Sequence, residues 1–269
     1  MHPRPRLLLN SAETELWPAW LLRARGNGDA RLLARSHWVM RRKSDGRYLA
    51  ALSRTGEVTA IASRLAHEPG LGEALHWRER RTFRRASASH PPVELPPHGL
   101  DARLQQLGLD ASEYATRSGL ERIAEPDWLA LAGFDRYRRP LWLRPEAARA
   151  WTRMHAAALE DGVVLDAISG YRSHAYQLGI FERKRGRGLT VEEILEVNAA
   201  PGFSEHHSGS ALDLGTPGEP PAEETFEATP AFEWLQAHAA DFDFHMSYPR
   251  DNPHGIVHEP WHWRYRVVA

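Results

Sequence analysis

The clearest hydrophobic periodicity runs from Pro145 to Leu159, where Ala147, Trp151, Met154 and Ala158, with Leu143 ahead of them, fall on one stripe of a helix that Gly162 ends. Leu100 to Leu109 carries the same helical spacing. Val163 to Ile168 is an apolar run of strand length that delivers Ser169-Gly170-Tyr171-Arg172-Ser173, and a helix is expected from about His174 to Arg185. Further strands are expected near Ala211 to Leu214, Phe244 to Tyr248 and Trp261 to Val267, with a helix around Phe232 to Ala240. A polar insertion rich in Pro and Glu separates two of these elements, from Thr216 to Thr229.

Nearer the N-terminus the period changes to that of strands. His37 to Met40 and Tyr48 to Leu52 flank Ser44-Asp45-Gly46-Arg47, and Glu57 to Ile61 follows Thr55-Gly56, which predicts a short β-meander. The run Ala86 to His98, ASASHPPVELPPH, has four prolines and little apolar periodicity, and reads as a linker. The pattern predicts an α+β fold: a small N-terminal domain over 1–85, a linker over 86–98 and a larger domain over 99–269.

Composition narrows the function classes. The chain is 42% hydrophobic with ten Trp, enough core material for a soluble globular protein. A formal net charge of −1 supplies no global field for nucleic acid, and the Arg-rich piece Arg78 to Arg85, interrupted by Glu79, reads as a solvated face. Without cysteine there is no disulfide framework and no thiolate metal site, so any metal must sit on His and carboxylate ligands. The N-terminal apolar run, Leu7 to Leu9, is too short for a signal peptide, and no stretch approaches the roughly 20 apolar residues that span a bilayer. A cytoplasmic location is expected for the sequence as given, and the periplasm or cell envelope if a natural leader is missing.

Three constellations carry candidate chemistry. In Ser204-Glu205-His206-His207-Ser208-Gly209-Ser210-Ala211-Leu212-Asp213, a His and an Asp are separated by turn-forming residues, and both are good zinc ligands. An odd offset on a flat strand points the two side chains to opposite faces, so Ser208-Gly209 must turn or bulge. In Glu259-Pro260-Trp261-His262-Trp263-Arg264, Glu259 and His262 converge on one point only if the chain bends near Pro260. A carboxylate not spent on a metal can take a proton from an attacking water. The third, Ser169 to Ser173 with Gln177 one turn further on, gathers a guanidinium, hydroxyls and an amide suited to a substrate carboxylate or an oxyanion. Singly each has a plain structural reading: a hydrogen-bonded core His-Asp pair, a core Trp-His-Trp, a surface ion pair.

Together, in this order and spacing, they resemble the VanY-type D-Ala-D-Ala carboxypeptidase family of zinc peptidases. The family patterns are S-G-Y-R-S followed by Gln, S-x-H-x-x-G-x-A-x-D, and E-P-W-H-x-R, met here at Ser169 to Ser173 with Gln177, Ser204 to Asp213, and Glu259 to Arg264. The resemblance covers roughly residues 120–269. It implies a compact zinc-peptidase domain with a central antiparallel sheet. It further implies Zn2+ on His206, Asp213 and His262, Glu259 as general base, Arg172 holding substrate or the oxyanion, and Ser173, Gln177 and Ser204 lining the substrate side. The implied substrate is a peptidoglycan stem peptide or muropeptide losing a C-terminal D-amino acid, in D,D or L,D specificity. A dipeptidase or endopeptidase of the same group is the alternative within the family, and a non-catalytic wall-peptide-binding module with structural zinc the alternative outside it. His258 departs from the aromatic Tyr common before the catalytic Glu, and His207, His254 and His258 are expected in supporting or solvated roles.

Overall fold

Short, continuously buried runs build an antiparallel sheet in the N-terminal part of the chain. In the computed structural model, which describes residues 4–68, 70–72 and 91–266, its strands are β1 (Leu7–Asn10), β2 (Thr14–Pro18), β3 (Ser36–Arg42), β4 (Tyr48–Ser53) and β5 (Val58–Ala60), with a helix α1 (Asn27–Arg35) before β3. They lie in the order β5-β4-β3-β2-β1, and β6 (Trp128–Phe134) pairs with β1. Leu9, Leu16, Trp38, Met40, Leu49, Leu52 and Trp128 form the core against it.

The expected meander is β3-β4-β5, turned at Gly46 with φ 72. Strand β2 escapes a sequence reading because Glu15 sits in its middle. That carboxylate is buried, accepting from Trp17 Nε1 at 2.7 Å and pairing with Arg41 at 3.0 Å.

The chain divides into two units, Met1–His98 with Pro126–Leu131, and Gly99–Glu125 with Ala132–Ala269. They are not consecutive stretches, since the opening residues of β6 belong with the first. The described part of the Pro-rich run is held by hydrogen bonds: Val93 N donates to Asp127 Oδ1 and Asp127 N to Val93 O, both at 2.8 Å, and Glu94 bridges Pro126. Arg78 to Arg85 lies outside the described residues.

In the second unit β8 (Asp166–Ser169), β9 (Ala211–Gly215), β10 (Phe244–Met246) and β11 (His262–Tyr265) form an antiparallel sheet in the order β10-β11-β9-β8. A hairpin strand, β7 (Pro140–Leu143), precedes the long helix. The helices are α2 (Leu100–Gln106), α3 (Ala111–Ser118), α4 (Pro145–Glu160), α5 (His174–Arg185), α6 (Val191–Glu196) and α7 (Pro230–His238). Helix α4 starts with Pro145 in its first turn and buries the expected stripe of Ala147, Trp151, Met154 and Ala158. Helix α5 starts where Ser173 Oγ accepts from Tyr176 N at 3.1 Å. Its Leu178 and Phe181 pack with Leu104, Tyr114, Ile194 and Phe203, and burying such a Phe contributes about 1.5–3 kcal/mol. That cluster anchors α5 and the loop leading to β9.

In the second unit two short helices, α3 and α6, were not expected. Both carry start signals that weak periodicity obscured: Asp110 accepts from the first turn of α3, and Thr190 with Glu193 forms a capping box on α6. Among the described residues no helix is long and apolar enough to cross a membrane.

Candidate metal centre

The register of the second sheet does the first part of the assembly. His262 on β11 lies directly opposite Asp213 on β9, and Ser169 at the end of β8 faces Asp213 from the other side across a bulge. His206 comes from outside the sheet. It lies in a 3-10 turn, Glu205–Ser208, and Gly209 with φ 73 then swings the chain into β9. The bend expected at Ser208-Gly209 is therefore present, and so is that at Pro260, where His262 N donates to Glu259 O at 3.1 Å.

Gly170 makes the close approach possible. A Cβ there would meet Leu141 Cδ1 at 2.8 Å and the Trp142 carbonyl at 2.9 Å, while its own carbonyl accepts from His206 Nδ1 at 2.7 Å.

His206, Asp213 and His262 are all buried, with one ligand atom from each lying within 4.8 Å of the others. His206 Nε2 is 3.1 Å and His262 Nδ1 3.2 Å from the same oxygen, Asp213 Oδ1. Ligands around a tetrahedral ion at about 2.0–2.1 Å stand roughly 3.3 Å apart, so the donor set and its spacing fit a zinc-sized cation. Each imidazole also uses its second nitrogen elsewhere, His206 on the Gly170 carbonyl and His262 Nε2 on Glu205 Oε2 at 2.8 Å. That leaves one nitrogen of each ring aimed at the centre.

The electrostatics of the metal-free cluster are polarised. Burial, aided by Arg172, pushes His206 down to about 4, so it is neutral at pH 7. Burial also acts to lower His262, but its hydrogen bonds to Asp213 and Glu205 outweigh it and raise the ring to about 10. Burial by itself raises the Asp213 carboxyl, yet His206 and Arg172 hold it well below the usual range. Glu259 differs: burial dominates and lifts it to about 7. Its Oε2 is 3.8 Å from His262 Nδ1.

A cleft of about 510 Å³ opens beside the cluster, lined among others by Arg172, Gln177, Ser204, Tyr248, Glu259 and Trp261. Arg172 Nη2 donates to Asp213 Oδ2 at 3.2 Å, while its Nε is buried without a partner among the described residues. Gln177 Nε2 donates to Ala199 O at 3.0 Å, and its Oε1 is likewise buried and unpartnered. Ser173 is placed differently from Gln177 and Ser204: it caps α5 and does not line the cleft. The neighbouring histidines bond away from the centre, His207 Nδ1 to Arg172 O, His254 to Ser118 O and His258 to Glu227. The polar insertion is more structured than its composition suggests, since Phe226 is buried and Glu223 and Glu224 line the cleft.

Two acidic groups of this site were not singled out from the sequence. Glu125 accepts from Tyr171 Oη at 2.5 Å and from His174 N at 2.7 Å, tying down the Arg172 loop. Glu205 accepts from His262. Its only sequence signal was an acidic residue adjoining a ligand candidate in a turn, which by itself reads as a solvated side chain.

An antiparallel sheet that presents an imidazole and a carboxylate to a cleft, joined by a second imidazole from the turn before β9 and with a second carboxylate standing beside them, defines a candidate hydrolytic metal centre. The family model described as VanY, D-alanyl-D-alanine carboxypeptidase, matches residues 140–268. The bifunctional D-Ala-D-Ala dipeptidase and carboxypeptidase VanXYC of Enterococcus gallinarum is 31% identical over 155 residues, covering 54% of this chain and 77% of that protein. The chain belongs to the VanY D-alanyl-D-alanine carboxypeptidase family.

The putative carboxypeptidase YodJ of Bacillus subtilis (strain 168) is 36% identical over 131 residues, which is 46% of each protein, so the match spans about half that relative's length. Among solved structures, the LdcB LD-carboxypeptidase is 35% identical over 46% of this chain and 59% of its own, with a TM-score of 0.43. A zinc(II) complex of the VanY D,D-pentapeptidase from a VanB-type cassette is 28% identical over 46% and 73%, with a TM-score of 0.39.

Proposed function

We propose that the chain is a zinc-dependent carboxypeptidase that removes a C-terminal D-amino acid from peptidoglycan stem peptides. The observation that carries this reading is the position of the Glu259 carboxylate: it borders the cleft beside the cluster, 3.8 Å from the centre-facing nitrogen of His262, and among the described residues it makes no side-chain hydrogen bond to the three ligand candidates. A purely structural metal site has no use for such a carboxylate. His206 Nε2, Asp213 Oδ1 and His262 Nδ1 would hold the ion, which when bound supplies Lewis acidity and lowers the pKa of water.

Glu259, which borders the cleft beside the cluster, takes the proton of the attacking water and returns it to the leaving amine. Arg172 provides guanidinium N–H groups to the developing oxyanion, its unpartnered Nε among them. Gln177 and Ser204 border the same cleft and line its substrate side. The names of the relatives supply the substrate class, D-Ala-D-Ala peptides and peptidoglycan, in both D,D and L,D forms.

The direct test is to incubate zinc-loaded protein with a stem pentapeptide and a stem tetrapeptide and follow free D-alanine by mass spectrometry. Release from the first alone assigns D,D action and from the second alone L,D action, while release from neither at any zinc loading removes the proposal. Arg172→Ala is expected to lower kcat by about 10²–10³-fold with zinc content unchanged. A change confined to KM would instead make Arg172 a ground-state binder.

A further inference from the structure

The carboxylate of Glu205 is fully engaged from three directions. Its Oε2 accepts from His262 Nε2 at 2.8 Å and from Ser247 Oγ at 2.6 Å, and its Oε1 accepts from Arg264 Nη1 at 2.8 Å. These donors come from β11 and from the residue following β10, whereas Glu205 itself lies in the turn that carries His206. Arg264 is two residues beyond His262 on β11, so both side chains project from one face of the strand towards the same carboxylate. The Tyr248 ring packs against the His262 imidazole with centroids 4.9 Å apart. Charge, hydrogen bond and ring contact thus restrain one imidazole in both position and plane.

We propose that Glu205, clamped by Arg264 and Ser247, is a positioning residue that makes Nδ1 the metal-facing atom of His262. This inference rests on the metal reading given above. A neutral imidazole carries its proton on one nitrogen only, and a carboxylate acceptor at Nε2 places it there, leaving the Nδ1 lone pair towards Asp213. The two imidazoles are served by unlike acceptors, a backbone carbonyl for His206 and a carboxylate for His262. The carboxylate is the stronger acceptor and raises ligand basicity more.

The clamp also explains why a carboxylate is tolerated at 6% exposure. Unpaired it would be strongly unfavourable, and here both of its oxygens accept hydrogen bonds, one of them from the Arg264 guanidinium. Glu205 further joins the turn bearing one ligand candidate to the strand bearing another, so His206 and His262 are kept in register from outside the centre.

Zinc affinity measured by competition with a chromogenic chelator, together with the d–d spectrum of the cobalt-substituted protein, tests this directly. Glu205→Gln is expected to bind zinc about 10–100-fold more weakly and to shift the cobalt spectrum. Ser247→Ala, which removes one hydrogen bond to the same oxygen, gives a smaller loss in the same direction. A purely structural Glu205 would lower the melting temperature of the metal-free protein and leave affinity and spectrum at wild-type values, and that result overturns the inference. If Glu205→Gln does not fold, Ser247→Ala decides by the same two readouts. Wild-type protein measured in parallel separates the two levels: failure of wild type to bind zinc removes the metal reading itself, whereas wild-type binding matched by both variants removes only the role of Glu205.

Discussion

Glu259→Ala is expected to lower kcat for D-alanine release by about 10²–10⁴-fold, the usual contribution of a positioned general base, while zinc content stays at the wild-type level. The two halves follow from one geometry. Glu259 borders the cleft and stands 3.8 Å from His262 Nδ1, close enough to serve a water at the centre but outside the His206–Asp213–His262 contacts. Glu259→Gln keeps the volume and removes the basicity, so an equal loss in both variants assigns the effect to proton transfer and not to packing. Burial lifts the carboxyl to about 7 without a metal, and a cation at the neighbouring centre lowers it from there, so the ionised base accumulates and kcat/KM should rise with pH along a limb below neutrality.

Stability runs the other way. A folded-state pKa raised from 4.5 favours the folded metal-free protein below that value and loses this contribution as pH rises to about 7. Glu259→Gln should therefore raise the melting temperature of the metal-free protein at pH 8 relative to wild type. A variant with wild-type turnover would falsify the general-base assignment.

The second large effect concerns Asp213, whose Oδ1 meets both imidazoles and whose Oδ2 meets Arg172. Asp213→Ala should abolish stoichiometric zinc binding and, with it, turnover. It should also destabilise the metal-free protein by about 3–5 kcal/mol, because a buried carboxylate is removed from beside two cations that remain. Inductively coupled plasma mass spectrometry and urea denaturation read these separately. Full zinc occupancy in this variant would overturn the ligand assignment.

Zinc uptake by the wild type should release about one proton per ion near pH 7, since His262, held at about 10 in the metal-free protein, must give up its Nδ1 proton, whereas His206, at about 4, has none to lose. Apparent affinity should accordingly fall as the pH is lowered. Titration calorimetry in buffers of different ionisation enthalpy measures the proton count, and a value of zero would remove His262 from the ligand set.

Read alone, the sequence determined the candidate site residues and much of the α+β pattern around them. The helical stripe of α4 and the turns required at Gly209 and Pro260 are local consequences of spacing, missing N–H groups and permissive glycine dihedrals, and they are visible without a fold. The three motifs also named His206, Asp213, His262, Glu259 and Arg172, because residue type limits what can bind a metal or move a proton.

The tertiary structure decided what depends on pairing between distant segments. It brought 126–131 back beside β1 and thereby made the units discontinuous, since strand partners are chosen by shared burial and not by nearness in sequence. It set Asp213 opposite His262 across two strands, assigned Ser173 to capping a helix, and left Gln177 Oε1 buried without a partner among the described residues. It also turned Glu205, an ordinary acidic residue on paper, into a buried carboxylate bonded to His262, Arg264 and Ser247. Burial and hydrogen-bond partners are properties of the assembled surface, and they set which nitrogen of an imidazole faces the candidate centre and which carboxyl is lifted towards neutrality.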